Sequence, residues 1–202
     1  MTEEAVRPRL PYGEGRQALV EAAIRLVARD GLSKLTYRSL TAEAGVSQGS
    51  LRHHFDSLVG VLEAGLEYCL EVSHGYLHRP VESLEDILVH LVDSMQEHPE
   101  IPAFQTEVFV GARHRDELIH LAHRHQESYR QAVRVALAQS ILTPDEELVA
   151  IIIAMAEGIV YQRVVFGQAY APVTEQEVAG SRRVMSALLQ AASAPSASAA
   201  HR

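Results

Sequence analysis

Residues 36–55 read TYRSLTAEAGVSQGSLRHHF, and the punctuation of this stretch decides the fold class. Thr36 is a residue type that accepts backbone N–H bonds at a helix start, and Tyr37, Leu40 and Ala44 then share one face of a short helix that Gly45 ends. Ser47 repeats the device and opens a second segment, Gln48 to His54, with Leu51 and Phe55 turned inward four residues apart. Two short helices across Ala44-Gly45-Val46-Ser47 have the spacing of a helix-turn-helix, in which glycine permits the tight turn and serine starts the following helix. A short helix anchored by Leu51 and Phe55 offers a polar N-terminal face to a major groove, and its dipole favours a neighbouring phosphate.

Working outward, residues 16–30 place Leu19, Val20, Ala23, Ile24 and Val27 at helical intervals, and Gly31 follows where a helix end favours a left-handed residue. Downstream, apolar residues recur with the same period from Leu58 to Tyr76, until Arg79-Pro80 interrupts them. Further helices are predicted over Leu84 to Glu97, Ala103 to about Ala112, Asp116 to Leu142, Asp145 to Phe166 and Glu175 to Ala192. Nothing alternates with the period of a strand, and no internal repeat is present. The chain therefore reads as all-α, with about nine helices. A three-helix head covers residues 13–60 and a larger helical body covers 61–192, while 1–12 and the Ala/Ser-rich 193–202 read as a disordered arm and tail.

The 202 residues, 47% of them hydrophobic, are enough for a generous core, and a net charge of −8 would by itself disfavour a nucleic-acid partner. The distribution of that charge reverses the inference. Residues 1–60 hold eight Lys/Arg against seven Asp/Glu, whereas 61–202 hold ten against nineteen. A near-neutral head with Arg7, Arg9, Arg16, Arg38, Arg52 and two histidines can meet phosphates, and an acidic body is repelled from the duplex. The N-terminus lacks a secretory signal and the chain has no run of about eighteen apolar residues, so a soluble cytoplasmic protein without a membrane partner is expected. The single cysteine, Cys69, reads as a small apolar helix residue.

Leu35 to Phe55, LTYRSLTAEAGVSQGSLRHHF, resembles the signature of TetR-family repressors, with the helix ending at Asp30-Gly31 and the one opening at Leu58 in the places of that family's first and fourth helices. The resemblance implies a DNA-binding domain at 13–60 and a ligand-binding and dimerisation domain at 61–192. It also implies a homodimer on a near-palindromic operator in double-stranded DNA, released by a small-molecule effector. By position, the DNA-facing set is Thr36, Tyr37, Arg38, Ser47, Gln48, Gly49, Ser50, Arg52 and His53. Gln48 has the chemistry to pair with adenine and Arg38 with guanine or phosphate, whereas Ser50 and the Gly49 backbone suit phosphates. The family commonly has tyrosine where this chain has Arg52 and lysine where it has Leu58, so one phosphate-facing charge is gained and another lost. His54 reads as packed within the motif.

In the body, Asp145 to Phe166 is apolar over much of its circumference and needs burial on several sides. Its Ala150, Ala154 and Gly158, four apart, form a stripe that lets another helix approach closely. A four-helix dimer interface with Glu175 to Ala192 and an intrasubunit core both use such a stripe. Met95, Phe104, Phe109, Tyr129, Met155, Tyr161 and Phe166 are candidates for a largely apolar effector pocket, with core packing as the alternative. His114, His120, His123 and His125 have poor spacing for a metal, and no metal or cofactor is expected; they read as a solvated surface. No nucleophile–base pair, carboxylate pair or phosphate-cradling loop is singled out, so an enzyme is not expected. A helical ligand-binding or interaction protein without DNA binding, or a helical enzyme, are the alternatives.

Overall fold

The structure, a computed structural model, describes residues 14–77, 93–139, 145–170, 180, 183, 184 and 187. Every regular element among them is helical. The helices are α1 (Glu14–Asp30), a 3-10 turn (Leu32–Lys34), α2 (Tyr37–Ala44), α3 (Gln48–His54), α4 (Leu58–Leu77), α5 (Glu100–Ala112), α6 (Asp116–Gln139) and α7 (Glu146–Tyr170), with residues 93–97 also helical. The all-α reading of the sequence is thus the observed fold. The arm, the tail, most of Leu84 to Glu97 and nearly all of Glu175 to Ala192 lie outside the described residues.

The described residues fall in two compact units, one within Met1–Val72 and His98–Gln126, the other within Ser73–Glu97 and Glu127–Arg202. The core of the first is continuous from Leu19, Ala23 and Val27 of α1 through Leu40, Leu51 and Phe55 to Leu62 of α4, Phe104 and Val108 of α5, and Leu118 and Leu121 of α6. Removing these side chains from water is the main force holding the head together. Cys69 is fully buried in the same core, and burial pushes its thiol well above the ordinary range, as fits a packing role. Phe104 closes over Gly65, where an added methyl would stand 2.7 Å from its ring tip, so only glycine admits the ring at this depth.

Helix α5 starts three residues before the predicted Ala103, because Pro102 sits in its first turn, where the backbone N–H groups lack intrahelical partners anyway. Helix α6 buries Leu118, Leu121 and His125, three or four residues apart, on one stripe. His125 is therefore no part of a solvated surface, unlike the exposed His114, His120 and His123. The Gln105 amide donates to its Nε2 at 2.8 Å, and the Phe109 ring lies 5.5 Å away, centroid to centroid.

In the second unit, Val133 and Leu137 of α6 pack with Leu148, Val149, Ile152 and Ile153 of α7. Arg134 clasps the same two helices, its Nε donating to Glu146 at 2.7 Å and a terminal nitrogen to Glu127 at 2.6 Å. Regular α7 geometry stops at Phe166, as the sequence predicts, because Gly167 adopts φ +69°. Among the described residues one segment, Glu146–Gly167, is long and apolar enough to cross a membrane; part of it is buried against α6.

Candidate nucleic-acid interface

The reading unit is fixed by side chains that lie next to it in sequence. Thr36, extended at φ −133°, accepts from the Ser39 backbone N–H at 3.1 Å, and Ser39 Oγ accepts in return from the Thr36 N–H at 2.9 Å. That reciprocal pair satisfies donors which a helix start leaves orphaned. Gly45, left-handed at φ +68°, ends α2, and the Val46 N–H returns to the Thr41 carbonyl at 3.1 Å. Ser47 then caps α3 by accepting from the Ser50 N–H at 3.1 Å. On the inner side Leu51 is fully buried and Phe55 nearly so, with the Arg16 guanidinium 5.2 Å above the Phe55 ring.

Everything left over faces out. Thr36, Tyr37, Arg38, Ser47, Gln48, Gly49, Arg52 and His53 are exposed, and Ser50 is half-buried. Eight of the nine are thus open to solvent on α2, α3 and their caps. Tyr37 stands with this set; Leu40 alone of its expected apolar face is fully buried. His54 is half-buried beside the first turn of α1, where a methyl on Gly15 would meet its Nε2 at 3.0 Å, and it touches the His53 ring edge-on. Leu58 is packed against the core instead of facing outward.

Ion pairing separates four arginines of the head into two groups. Arg25 and Arg29 are committed internally, Arg29 to Asp30 at 2.8 Å and to Glu43 at 3.1 Å, Arg25 to Glu43 at 3.5 Å. The Arg29 hydrogen bond holds the Glu43 and Asp30 carboxyls below their usual range. Arg38 and Arg52 are exposed and, among the described residues, have no ion-pair partner, which leaves both guanidinia for an external anion. Among the described residues, no group of three His, Cys, Asp or Glu is placed to hold a metal ion.

The seven pocket candidates are divided between the two units. Phe104 and Phe109 belong to the first unit, Phe104 within its core; Met95, Tyr129, Met155, Tyr161 and Phe166 belong to the second. There Met95 is buried, Tyr129 donates to or accepts from Ser73 Oγ at 2.8 Å, Met155 is half-buried, and Tyr161 and Phe166 are 55% and 49% exposed. Ala150, Ala154 and Gly158 all lie exposed on α7, and nothing among the described residues comes within 4 Å of a methyl built on Gly158. Sequence reading missed Glu107, which receives the backbone N–H of Leu32 at 3.0 Å. No local pattern marks it, since its partner is 75 residues away.

Residues 19–64 match the family described as bacterial regulatory proteins, tetR family, and residues 79–199 match the tetracyclin repressor-like C-terminal domain. The chain belongs to the TetR family. It is accordingly a DNA-binding regulator and not an enzyme. Solved TetR-like structures share the fold. The multidrug binding protein EbrR in complex with imidazole is 23% identical with a TM-score of 0.66, over 90% of this chain and 97% of its own. A TetR transcription regulator from Haloarcula marismortui is 19% identical with a TM-score of 0.69, over 90% and 99%. A transcriptional regulator from Rhodococcus sp. Rha1 is 16% identical with a TM-score of 0.73, over 89% and 98%. No curated protein matches the chain.

Proposed function

We propose that this TetR-family chain is a cytoplasmic repressor that binds a near-palindromic operator as a homodimer and is released by a small, largely apolar effector. The observation that carries the DNA-reading part is the division of α3: Leu51 is buried on one side, while Gln48, Gly49, Arg52 and His53 are exposed on the other. In this reading Gln48 and Arg38 read base edges, Arg52 and His53 hold the phosphate backbone, and the capped starts of α2 and α3, at Thr36 with Tyr37 and at Ser47 with Gly49 and Ser50, position the unit on phosphates.

The homodimer is supported by α7, where Ala150, Ala154 and Gly158 share an exposed stripe with Tyr161 and Val165, and Ile151 is exposed beside it. Exposed apolar residues at helical spacing are what a second copy would cover, with the small residues setting a close approach. For the effector we retain the second-unit residues Met95, Tyr129 and Met155, which combine apolar bulk with one hydroxyl; EbrR, a multidrug binding protein, has been solved with proflavin and with malachite green.

Selection from a pool of random-sequence DNA duplexes tests the reading. Enrichment of a site with inverted half-sites, bound by two chains, is the expected result. A pool that stays random after repeated selection contradicts it.

A further inference from the structure

We propose that Glu107 is a positioning residue for the DNA-reading helices, holding from α5 the turn that launches α2. The proposal rests on the DNA-reading role of α2 and α3. The 3-10 turn Leu32–Lys34 begins at Gly31, which has no side chain to cap it, so its first N–H has no local acceptor. Glu107 supplies one: the Leu32 N–H donates to its Oε2 at 3.0 Å, and a carboxylate suits the positive start of a helical turn. Gly31 makes the approach feasible, with φ +86° and a missing methyl that would stand 3.3 Å from the same oxygen.

A second grip lies one helical turn along α5. Gly111, four residues on and thus on the same face, carries no side chain where a methyl would stand 2.3 Å from Leu32 Cδ2, so α5 lies flush against the buried Leu32. From Leu32 the hold passes directly into α2. The Leu35 N–H bonds the Leu32 carbonyl at 3.2 Å, Ser39 Oγ donates to the Lys34 carbonyl at 2.7 Å, and Ser39 is half of the box that caps α2. The opposite side of α5 carries Gln105 and Phe109, which contact the buried His125. Helix α5 therefore holds the launch point of α2 on one face and α6 on another. The pose of the recognition unit depends on a residue that lies far outside it in sequence.

The test compares the full-length wild type with Glu107→Ala and Glu107→Gln, at a temperature where all three are folded. Glutamine keeps a carbonyl oxygen at the same reach and should restore what alanine loses. For the duplex selected by the wild type, E107A should bind roughly five- to tenfold more weakly and E107Q within about twofold of wild type. Binding to an unrelated duplex of the same length should change by less than about twofold, because phosphate contacts are sequence-independent. Val133→Ala, in the core of the second unit, is the control, lowering the melting temperature without changing the ratio of specific to unrelated binding. Equal losses on both duplexes, or an E107A that binds as wild type does, would overturn the proposal. Amide hydrogen exchange gives a reading independent of DNA. Protection at Leu32 and in the first turn of α2 should fall in E107A and persist in E107Q, and unchanged protection in E107A overturns the proposal even if no duplex is ever selected.

Discussion

Arg29, on the last turn of α1, reaches Glu43 on α2 at 3.1 Å and so ties the supporting helix to the first helix of the reading motif. The Glu43 carboxyl is held below its ordinary value of 4.5, chiefly by this hydrogen bond and then by the guanidinium charge. A carboxyl depressed in the folded chain contributes stability above its unfolded-state value and loses it as pH falls through the folded value. Because the pair is solvent-accessible, the contribution is small. Glu43→Gln should lower the melting temperature by about 1–2 °C at neutral pH, and the difference should narrow as the pH is taken down below 4.5. Melting curves that stay equally separated at that acidity would show that the pair contributes nothing through ionisation.

Gly49 separates folding from DNA contact. A methyl there would lie 3.6 Å from Ser47 Oγ, an ordinary contact, so Gly49→Ala should leave stability unchanged or raise it by up to about 1 kcal/mol. Operator affinity should nevertheless fall, since the methyl points outward from the face proposed to meet DNA. Unchanged affinity would remove Gly49 from that face.

Gly65 should behave in the opposite way. Its replacement by alanine drives a methyl to within 2.7 Å of the Phe104 ring, and overpacking of this kind costs about 1–3 kcal/mol. Adding Phe104→Leu should recover part of the loss, which a double-mutant thermal denaturation series will measure.

Gly158→Trp tests the proposed dimer. Nothing among the described residues approaches within 4 Å of a methyl at that position. Sedimentation should show monomers that retain helix content and bind the selected duplex weakly; intact dimers would move the interface elsewhere.

Much of the reading unit was legible because its determinants are local. Thr36 with Ser39, Gly45, and Ser47 with Ser50 each lie within three residues of the backbone group they satisfy or turn, so composition and spacing alone locate α2, the turn and α3. His125 was half legible: its spacing from Leu118 and Leu121 marks the buried stripe of α6, but four histidines within twelve residues suggested a wet surface. Glu107 was not legible at all, since its partner is a backbone N–H chosen by tertiary packing. A pocket was not legible from Phe104 and the other candidates, because large apolar residues at helical spacing serve a core, as Phe104 does, as readily as any cavity. Leu58, which stands where relatives commonly carry a cationic contact, proves to be packed against the core.

If this acidic chain reads DNA through the exposed residues of α2 and α3, its binding must depend on salt. For the wild type on its selected duplex, log affinity should fall linearly with log salt. Arg52→Ala should flatten that slope by about one, whereas Arg38→Ala should lose specificity for the selected duplex instead. Binding that ignores salt, or slopes and specificity that both variants leave untouched, would contradict a DNA-reading role for α2 and α3.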